Sequence, residues 1–331
     1  MDLSDKKIRV AVIGVGDFGR NHVRVYRELE EAELVGVVDA NADRASSVAS
    51  EFNTEALPGV EALAGRVDAV SLAVPTVEHA RIGCRLLEQG IDVLVEKPMA
   101  ASLAEADQLI AAAEKNRRVL QVGHLERFNP AIVAVQPVVT KPLFFEVHRL
   151  GVFSPRSLDV DVVYDVMIHD LDILLALVDG PVKEVKSVGI PILTERVDIA
   201  HARIEFMSGA VANVTASRVS TERVRKMRFF QAHEYISIDY ARRDALRVRV
   251  ATPARDGKPP EFGFEKLDTK PEEPLHAELH AFLDAVRTRT TPRVDGAAGR
   301  RALELADRVM AGILDHARRV QLGGVAPMAS L

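Results

Sequence analysis

Residues 14–19 read Gly14-Val15-Gly16-Asp17-Phe18-Gly19, a G-x-G-x-x-G stretch where an apolar run meets a helical pattern. The preceding run, Ile8–Ile13, is short, nearly all apolar and rich in β-branched residues, which is typical of a strand buried on both faces of a parallel sheet. From Phe18 onward the apolar residues recur at helical spacing. The glycines therefore lie at a strand-to-helix turn, where this motif predicts binding of a dinucleotide.

Each glycine of this turn has its own expected role. Gly14 permits the tight turn, Gly16 lets the backbone approach a pyrophosphate, and Gly19 lets the helix pack close to the strand. Asp17 and Phe18 belong to the same turn, so we assign them to the cofactor site as well. A glycine-rich turn in another kind of α/β protein is the alternative interpretation.

An acidic residue stands at the end of the next predicted strand. Residues 34–38 read as a buried strand, and Asp39 follows them, twenty residues past Gly19. A carboxylate there can accept hydrogen bonds from the adenosine ribose hydroxyls and would repel a 2′-phosphate. The sequence therefore predicts NAD in preference to NADP, although the nearby Arg44 could weaken that preference.

The composition is that of an ordinary globular protein of about two domains. The chain has 331 residues and a formal net charge of −5, which argues against nucleic acid as a partner. Cys84 is the only cysteine, so an internal disulfide is excluded and a buried position on a helix is expected for it. We find no signal-peptide segment and no apolar run long enough to span a bilayer, so we expect a cytoplasmic protein without membrane association.

Strand-like and helix-like segments alternate through residue 123, which predicts a Rossmann domain with a doubly wound parallel sheet. Past residue 124, strands separated by short turns predict a second α/β domain with a mainly antiparallel open sheet. We place these domains at 1–123 and 124–322, with a tail at 323–331, and the last helix could pack back on the first domain. The expected elements of the second domain are strands near 200–206, 211–219, 228–232, 235–240 and 246–250 and helices near 165–178, 275–289 and 297–320.

Ligands of doubly wound sheets bind at the carboxyl ends of the strands. Pro75-Thr76 and Glu96-Lys97-Pro98 lie at two such ends, and His79 follows one turn into the next helix. We assign Pro75, Thr76, His79 and Glu96 to the cofactor site. Burial beside a cationic nicotinamide ring would favour the neutral amine of Lys97, which suits this side chain to proton transfer. The alternative is a surface ion pair at a strand end.

A second group of titratable residues lies on the predicted helix 165–178. At about 100° per residue, Asp165, His169 and Asp172 fall within roughly 60° of arc on a helix that is otherwise largely apolar. Such a stripe is costly to bury unless it is paired or functional, which favours His169 as a general acid or base oriented by Asp165 or Asp172. A zinc site is the rival interpretation, but the sequence offers no further ligands, so we expect no metal.

Together these features resemble the Gfo/Idh/MocA family of sugar and cyclitol oxidoreductases. The resemblance spans nearly the whole chain and rests on the glycine turn, Asp39, residues 73–76 with His79, Glu96-Lys97-Pro98 and Asp165-x-x-x-His169-x-x-Asp172. It implies a nicotinamide cofactor, with Lys97 and His169 at the reacting carbinol and Glu96 at the nicotinamide ribose. It also implies a homodimer or homotetramer assembled through the open sheet of the C-terminal domain. The chain departs from the family at Met167, where members often have glycine.

The stretch GHLERFNP at residues 123–130 resembles a subgroup of this family, the UDP-N-acetylglucosamine 3-dehydrogenases, as does segment 216–220. That resemblance implies a nucleotide-sugar substrate. The arginine fork suits phosphate oxygens, so Arg127 and Arg218 are candidates for the two phosphates. Asn129 is a candidate for a sugar hydroxyl or amide, and Asp172 for a further substrate contact. A solvated sheet face is the alternative for some of the basic residues, which include Arg223, Arg225, Lys226 and Arg228.

The subgroup resemblance further implies oxidation at C3 to a 3-keto sugar that is later aminated for amide-linked lipid A. Three other activities stay open at this point. They are an inositol or other free-sugar dehydrogenase, an NAD-dependent glycosidase that returns the hydride in each turnover, and a non-catalytic regulator similar to the yeast galactose repressor. The presence of both Lys97 and His169 counts against a regulator.

Overall fold

The computed structural model describes residues 6–154, 160–252 and 259–322. These residues form two compact units. The first comprises the chain up to Leu125 together with Glu273–Arg300, and the second comprises Glu126–Glu272 and the chain from Arg301 onward. Segment 273–300 thus groups with the first unit, whereas the sequence analysis placed it in the second domain. No helix among the described residues is long and apolar enough to cross a membrane.

A six-stranded parallel sheet forms the centre of the first unit, in the order β3-β2-β1-β4-β5-β6. Its strands are β1 (Ile8–Ile13), β2 (Ala32–Val38), β3 (Glu55–Ala56), β4 (Ala69–Leu72), β5 (Asp92–Glu96) and β6 (Leu120–Gly123). The helices between them are α1 (Asp17–Glu28), α2 (Ala42–Glu51), α3 (His79–Glu88) and α4 (Leu103–Asn116). This confirms the doubly wound parallel sheet. The strand order reverses between β1 and β4, which is where such sheets bind dinucleotides.

The helix α7 (Pro274–Thr288) completes the core of the first unit. Leu279 and Phe282 are fully buried in the same apolar cluster as Val10 and Val12 of β1. Burying a large apolar side chain contributes roughly 1.5–3 kcal/mol, so α7 is an integral part of this unit. Its packing explains why segment 273–300 groups with the parallel sheet.

An eight-stranded sheet forms the second unit, in the order β14-β13-β12-β11-β7-β10-β9-β8. Neighbouring strands are antiparallel except for β7 and β10, which confirms a mainly antiparallel sheet. Its strands are β7 (Pro142–Leu150), β8 (Val182–Ile190), β9 (Ile199–Phe206), β10 (Val211–Ser217), β11 (Val224–Gln231), β12 (Glu234–Asp239), β13 (Asp244–Thr252) and β14 (Glu261–Lys266). Its helices are α5 (Pro130–Val135), α6 (Ile168–Leu177) after a π-helical turn at Val163–Met167, and most of α8 (Gly296–Arg319).

One face of the eight-stranded sheet is buried and the other is largely exposed. Phe145, Val147 and Phe229 point to the buried face and are almost inaccessible. The helix α8 packs closely on β8. A Cβ placed on Gly312 of this helix would lie only 2.3 Å from Ser187 Oγ. Glycine at this helical position therefore sets the distance between helix and sheet.

The sequence pattern does not predict α5, β7 and β8. In β7 an arginine, Arg149, occupies a buried position two residues after Val147, which interrupts the expected alternation of apolar and polar residues. The strand β8 lies at the edge of its sheet and carries several charged residues, as edge strands often do. Both patterns obscure the strand signal.

Candidate functional site

The glycine turn after β1 packs as its spacing predicts. Gly14 has a φ of +83°, and a Cβ there would lie 2.4 Å from Ala73 O. A Cβ on Gly19 would lie 1.8 Å from Gly14 O, so α1 can approach the turn only without a side chain at this position. Among the described residues, and apart from the chain neighbours of Gly16, no atom lies within 4 Å of the corresponding point at Gly16, which leaves space for an approaching pyrophosphate.

The N-terminus of α1 offers the hydrogen-bond donors for an anion. The helix begins at Asp17, and its N-cap residue is Gly16, which has no side chain that could accept a hydrogen bond from the first turn. The first amides of a helix have no intrahelical acceptor and carry the positive end of the helix dipole. Phe18 in the same turn is 45% exposed, and Asp17 is exposed as well. These residues fit a dinucleotide pyrophosphate.

Asp39 connects the end of β2 to the glycine turn. Its Oδ2 accepts the Val15 N–H at 2.8 Å and its Oδ1 accepts the Asn41 N–H at 2.8 Å. Arg44 donates to both oxygens at 3.0 and 2.9 Å. Burial alone would raise the pKa of Asp39, but Arg44 and the two amides outweigh it and hold this pKa below its usual range.

These four hydrogen bonds occupy the acceptor positions of the Asp39 carboxylate. A ribose hydroxyl that bonds to this carboxylate would compete with Arg44, whose guanidinium is the side-chain donor among the four. A displaced Arg44, half-exposed in its side chain, could then face a 2′-phosphate. The Arg44–Asp39 contact is the physical basis for expecting Arg44 to weaken discrimination between the two cofactors.

We therefore expect Asp39→Ala to lower NAD affinity by about tenfold, since a charged acceptor for the ribose is lost, and to strengthen NADP binding through the released Arg44. Arg44→Ala should change the preference in the opposite direction and favour NAD. Asp43→Ala, an exposed carboxylate on α2, serves as the control. Calorimetric titration with both cofactors measures the effects. NADP binding as tight as NAD binding in the unmodified protein would contradict the predicted preference.

His79, assigned to the cofactor from the sequence, is an internal support in this structure. It is 1% exposed, and its ring nitrogens lie 2.9 Å from Val74 O and 2.9 Å from Pro98 O. Burial lowers its pKa. The ring links the loops that follow β4 and β5, so it positions Pro75 and Thr76 rather than presenting a nitrogen to a ligand.

Glu96 also differs from its expected role at the nicotinamide ribose. It is 7% exposed, and its Oε1 lies 3.1 Å from His22 Nε2 on α1. A Cβ on Gly123 would lie 2.7 Å from the same oxygen, and Lys97 N donates to Oε2 at 3.3 Å. The carboxylate is thus directed into the unit, beneath the half-buried Lys97. We interpret the His22–Glu96 pair as a support for Lys97.

His22 does not stand out in the sequence as a functional residue, because it falls on the apolar face of α1. It is fully buried there. One signal in the sequence could have identified His22. It is a titratable residue among apolar helix positions, three residues after the last glycine of the turn.

In the second unit, the residues before His169 form the π-helical turn Val163–Met167. Hydrogen bonds in a π-helix join residues five apart, so the assumption of 100° per residue does not hold from Asp165 to His169. Tyr164 Oη donates to Asp307 Oδ1 on α8 at 2.7 Å, which anchors this turn. Asp165 and His169 are half-buried, whereas Asp172 is 2% exposed.

Two of the substrate candidates lie against each other. Arg127, in the 3₁₀ turn at residues 125–128, has its Nη1 3.5 Å from Asp172 Oδ1. The Arg127 side chain is 12% exposed. The contact places the Arg127 guanidinium beside α6, the helix that carries His169.

Asn129 has its polar atoms engaged within the unit. Its Oδ1 accepts the Ala131 N–H at 3.1 Å, which caps α5. Its Nδ2 donates to Glu126 Oε2 at 3.0 Å and to Tyr240 O at 3.1 Å. Because both amide hydrogens and the carbonyl oxygen have partners, we remove Asn129 from the groups proposed to contact substrate.

Arg218 is 7% exposed, donates Nη2 to Val160 O, and has its Nε 3.7 Å from Asp198 Oδ1. Its guanidinium thus supports the chain that leads into the π-helical turn. The basic residues after it lie on or near β11, where Lys226 pairs with Asp239 and Arg228 with Glu146. For Lys226 and Arg228 the alternative of a solvated sheet face is confirmed.

Arg149, which the sequence pattern does not single out, pairs with two carboxylates near these groups. It contacts Asp170, the neighbour of His169, and Glu126, the neighbour of Arg127. Among the described residues, no group of three or more histidine, cysteine or acidic side chains is arranged to hold a metal ion.

Comparisons with known proteins agree with this geometry. Residues 8–124 match the Gfo/Idh/MocA family, described as an oxidoreductase family with an NAD-binding Rossmann fold, and residues 148–233 match a C-terminal domain of that family. The UDP-N-acetylglucosamine 3-dehydrogenase of Acidithiobacillus ferrooxidans is 38% identical over 92% of this chain and 97% of that protein. A solved structure of that enzyme matches with a TM-score of 0.86 and 37% identity, covering 93% of this chain and 98% of that one.

A more distant match shares the fold alone. Levoglucosan dehydrogenase in complex with NADH and levoglucosan has a TM-score of 0.84 at 18% identity, covering 94% of this chain and 98% of that one.

Proposed function

Because this chain belongs to the Gfo/Idh/MocA family of oxidoreductases, we propose that it oxidises C3 of UDP-N-acetylglucosamine to the 3-keto sugar with NAD. One observation carries the choice of substrate: 38% identity to an enzyme of that name, extending over 92% of this chain. The glycine turn and Asp39 support the cofactor.

In the proposed reaction, a base of this chain takes the hydroxyl proton from the carbon that is oxidised. Lys97 and His169 are the candidates, acting as a coupled pair, and either can hold the proton. Asp165 is proposed to orient His169, and the His22–Glu96 pair fixes the backbone of Lys97. NAD, when bound, supplies the hydride acceptor at C4 of its nicotinamide ring.

The two phosphates of a nucleotide sugar need charged donors. Arg127 is the first candidate because its planar fork can bond to phosphate oxygens and its side chain retains some exposure. Asp172 then holds the guanidinium in place between turnovers. Arg218 is the second candidate, with a smaller expected effect because Val160 and Asp198 already contact it.

We expect Arg127→Ala to raise KM for the nucleotide sugar by about tenfold or more, since hydrogen bonds to charged groups contribute roughly 1.5–3 kcal/mol. NADH affinity should stay unchanged. Arg228→Ala removes an exposed guanidinium from β11 and should leave KM unchanged. Steady-state kinetics of both variants with UDP-N-acetylglucosamine measure the difference. Equal KM values for the two variants would contradict the assignment of Arg127.

A substrate panel tests the function itself. UDP-N-acetylglucosamine, free N-acetylglucosamine and myo-inositol are each incubated with NAD, and reduced cofactor is followed by absorbance. We expect one reduced cofactor for each nucleotide sugar consumed, and poor turnover of the two free compounds. Consumption without net reduction would indicate a transient-oxidation glycosidase, and faster turnover of myo-inositol would contradict the proposed substrate.

We extend the proposal to the fate of the product and to the oligomeric state. The 3-keto product is a substrate for amination, the step that leads toward amide-linked lipid A. The exposed face of the eight-stranded sheet carries large apolar side chains, among them Leu143, Phe230 and Phe264, which supports assembly into a homodimer or homotetramer.

A further inference from the structure

Arg149 on β7 is a buried cation that the proposed chemistry does not use. Its side chain is 6% exposed. It donates Nε and Nη2 to the two oxygens of Asp170 at 2.7 and 2.8 Å, and Nη1 to Glu126 Oε1 at 2.7 Å. The guanidinium carbon also lies 4.8 Å from the centre of the Tyr240 ring. One side chain thus links two segments that are more than forty residues apart in sequence.

Each of the two carboxylates adjoins a group assigned to substrate chemistry. Asp170 follows His169 at the start of α6, and Glu126 precedes Arg127 in the 3₁₀ turn. The Arg127–Asp172 contact at 3.5 Å joins the same two segments a second time. The turn and the helix are therefore connected by two arginine–carboxylate links, and Arg149 forms the more buried of them.

Stability alone does not account for this arrangement. Replacing a buried ion pair by apolar residues of similar volume is often neutral or stabilising, because taking charges out of water is costly. The fork of an arginine bonded to both oxygens of a carboxylate does fix their relative orientation. A fixed orientation is most valuable beside a group that transfers a proton, because small displacements of such a group lower the reaction rate.

We infer that Arg149 is a positioning residue, which holds His169 and Arg127 in the arrangement that binds and oxidises the nucleotide sugar. The inference rests on the proposed function and deepens it. Arg149 acts on His169 through Asp170 and on Arg127 through Glu126. Loss of either carboxylate link should therefore affect a different kinetic constant.

The test uses four variants of the full chain and one control. Asp170→Asn should lower kcat by about tenfold or more with little change in KM, because His169 is displaced. Glu126→Gln should raise KM for the nucleotide sugar severalfold with little change in kcat. Arg149→Met should both lower kcat and raise KM. Arg149→Lys should lie between Arg149→Met and the unmodified protein in both constants. Arg247→Met, which breaks a part-buried pair with Glu234 on the same sheet, should change neither constant.

A second readout needs no turnover. The ring signals of His169 are measured by NMR in the free protein and assigned by their loss in His169→Ala. We expect them to shift or broaden in Arg149→Met and Asp170→Asn and to stay unchanged in Arg247→Met. If the unmodified protein has no activity but the variants show these NMR changes, the result contradicts the proposed function and leaves the positioning of His169 by Arg149 intact.

Folded Arg149→Met with unchanged His169 signals and unchanged kinetic constants would overturn the inference. If Arg149→Met fails to fold, Asp170→Asn and Glu126→Gln decide, because each of these two variants leaves Arg149 with one carboxylate partner. Equal effects of Asp170→Asn and Glu126→Gln on thermal stability, with no split between kcat and KM and no change at His169, would equally overturn it.

Discussion

We expect Lys97→Ala and His169→Ala each to lower kcat by about 100-fold or more, because proton transfer by a positioned side chain contributes roughly 10²–10⁴-fold. NAD affinity should stay nearly unchanged, because the proposed contacts to the dinucleotide lie at the glycine turn and Asp39 and do not involve these two side chains. Stopped-flow measurement of cofactor reduction at saturating substrate separates the chemical step from product release.

Matched controls exist for both substitutions. Lys115 is an exposed lysine in the last turn of α4, and His280 on α7 has a side chain that is 59% exposed. Lys115→Ala and His280→Ala should retain full activity. Near-normal kcat in Lys97→Ala and in His169→Ala would refute the assignment of proton transfer to this pair.

The second large effect separates the roles of two glycines in one turn. Gly19→Ala places a Cβ 1.8 Å from a backbone oxygen, and neither the turn nor α1 can move away freely. Overpacking usually costs about 1–3 kcal/mol, and contact with backbone raises that cost. We therefore expect a loss of at least about 3 kcal/mol in the free energy of unfolding, measured by denaturant titration.

Gly16→Ala is the matched variant, because its added methyl group has no atom within 4 Å in the part of the chain that the structure describes, apart from its chain neighbours. Its stability should change by less than about 0.5 kcal/mol. Its affinity for NADH should nevertheless fall by about tenfold or more, since the methyl group occupies the space through which a pyrophosphate approaches the backbone. Unchanged NADH binding in folded Gly16→Ala would contradict the placement of the pyrophosphate at this turn.

The fold was predictable where the sequence pattern is local. β1, α1 and the residues around them follow from apolar periodicity and glycine spacing, and the structure confirms each. The strand β7 was not predictable in this way, because Arg149 occupies a buried position that the pattern would give to an apolar residue. The ion-pair partners of Arg149 are Glu126 and Asp170, and the sequence does not reveal them because three separate segments come together only in the folded chain.

The candidate site, like the fold, was only partly predictable from the sequence. The residue types at the strand ends could be identified from the sequence, but the direction of each side chain could not. Glu96 is directed toward His22 because Gly123 leaves room for its carboxylate, a contact between three separate elements. Asn129 has its hydrogen bonds satisfied by Glu126, Ala131 and Tyr240, and the last of these is 111 residues away.

The hydrogen on C3 of the sugar provides the most direct test of the proposed activity. UDP-N-acetylglucosamine carrying deuterium at C3 is incubated with the protein and NAD, and both products are examined by mass spectrometry. Oxidation at C3 predicts a reduced cofactor that carries the deuterium and a keto sugar that has lost it. Reduced cofactor without deuterium would contradict oxidation at this carbon, and labelled sugar recovered without any cofactor reduction would contradict a dehydrogenase.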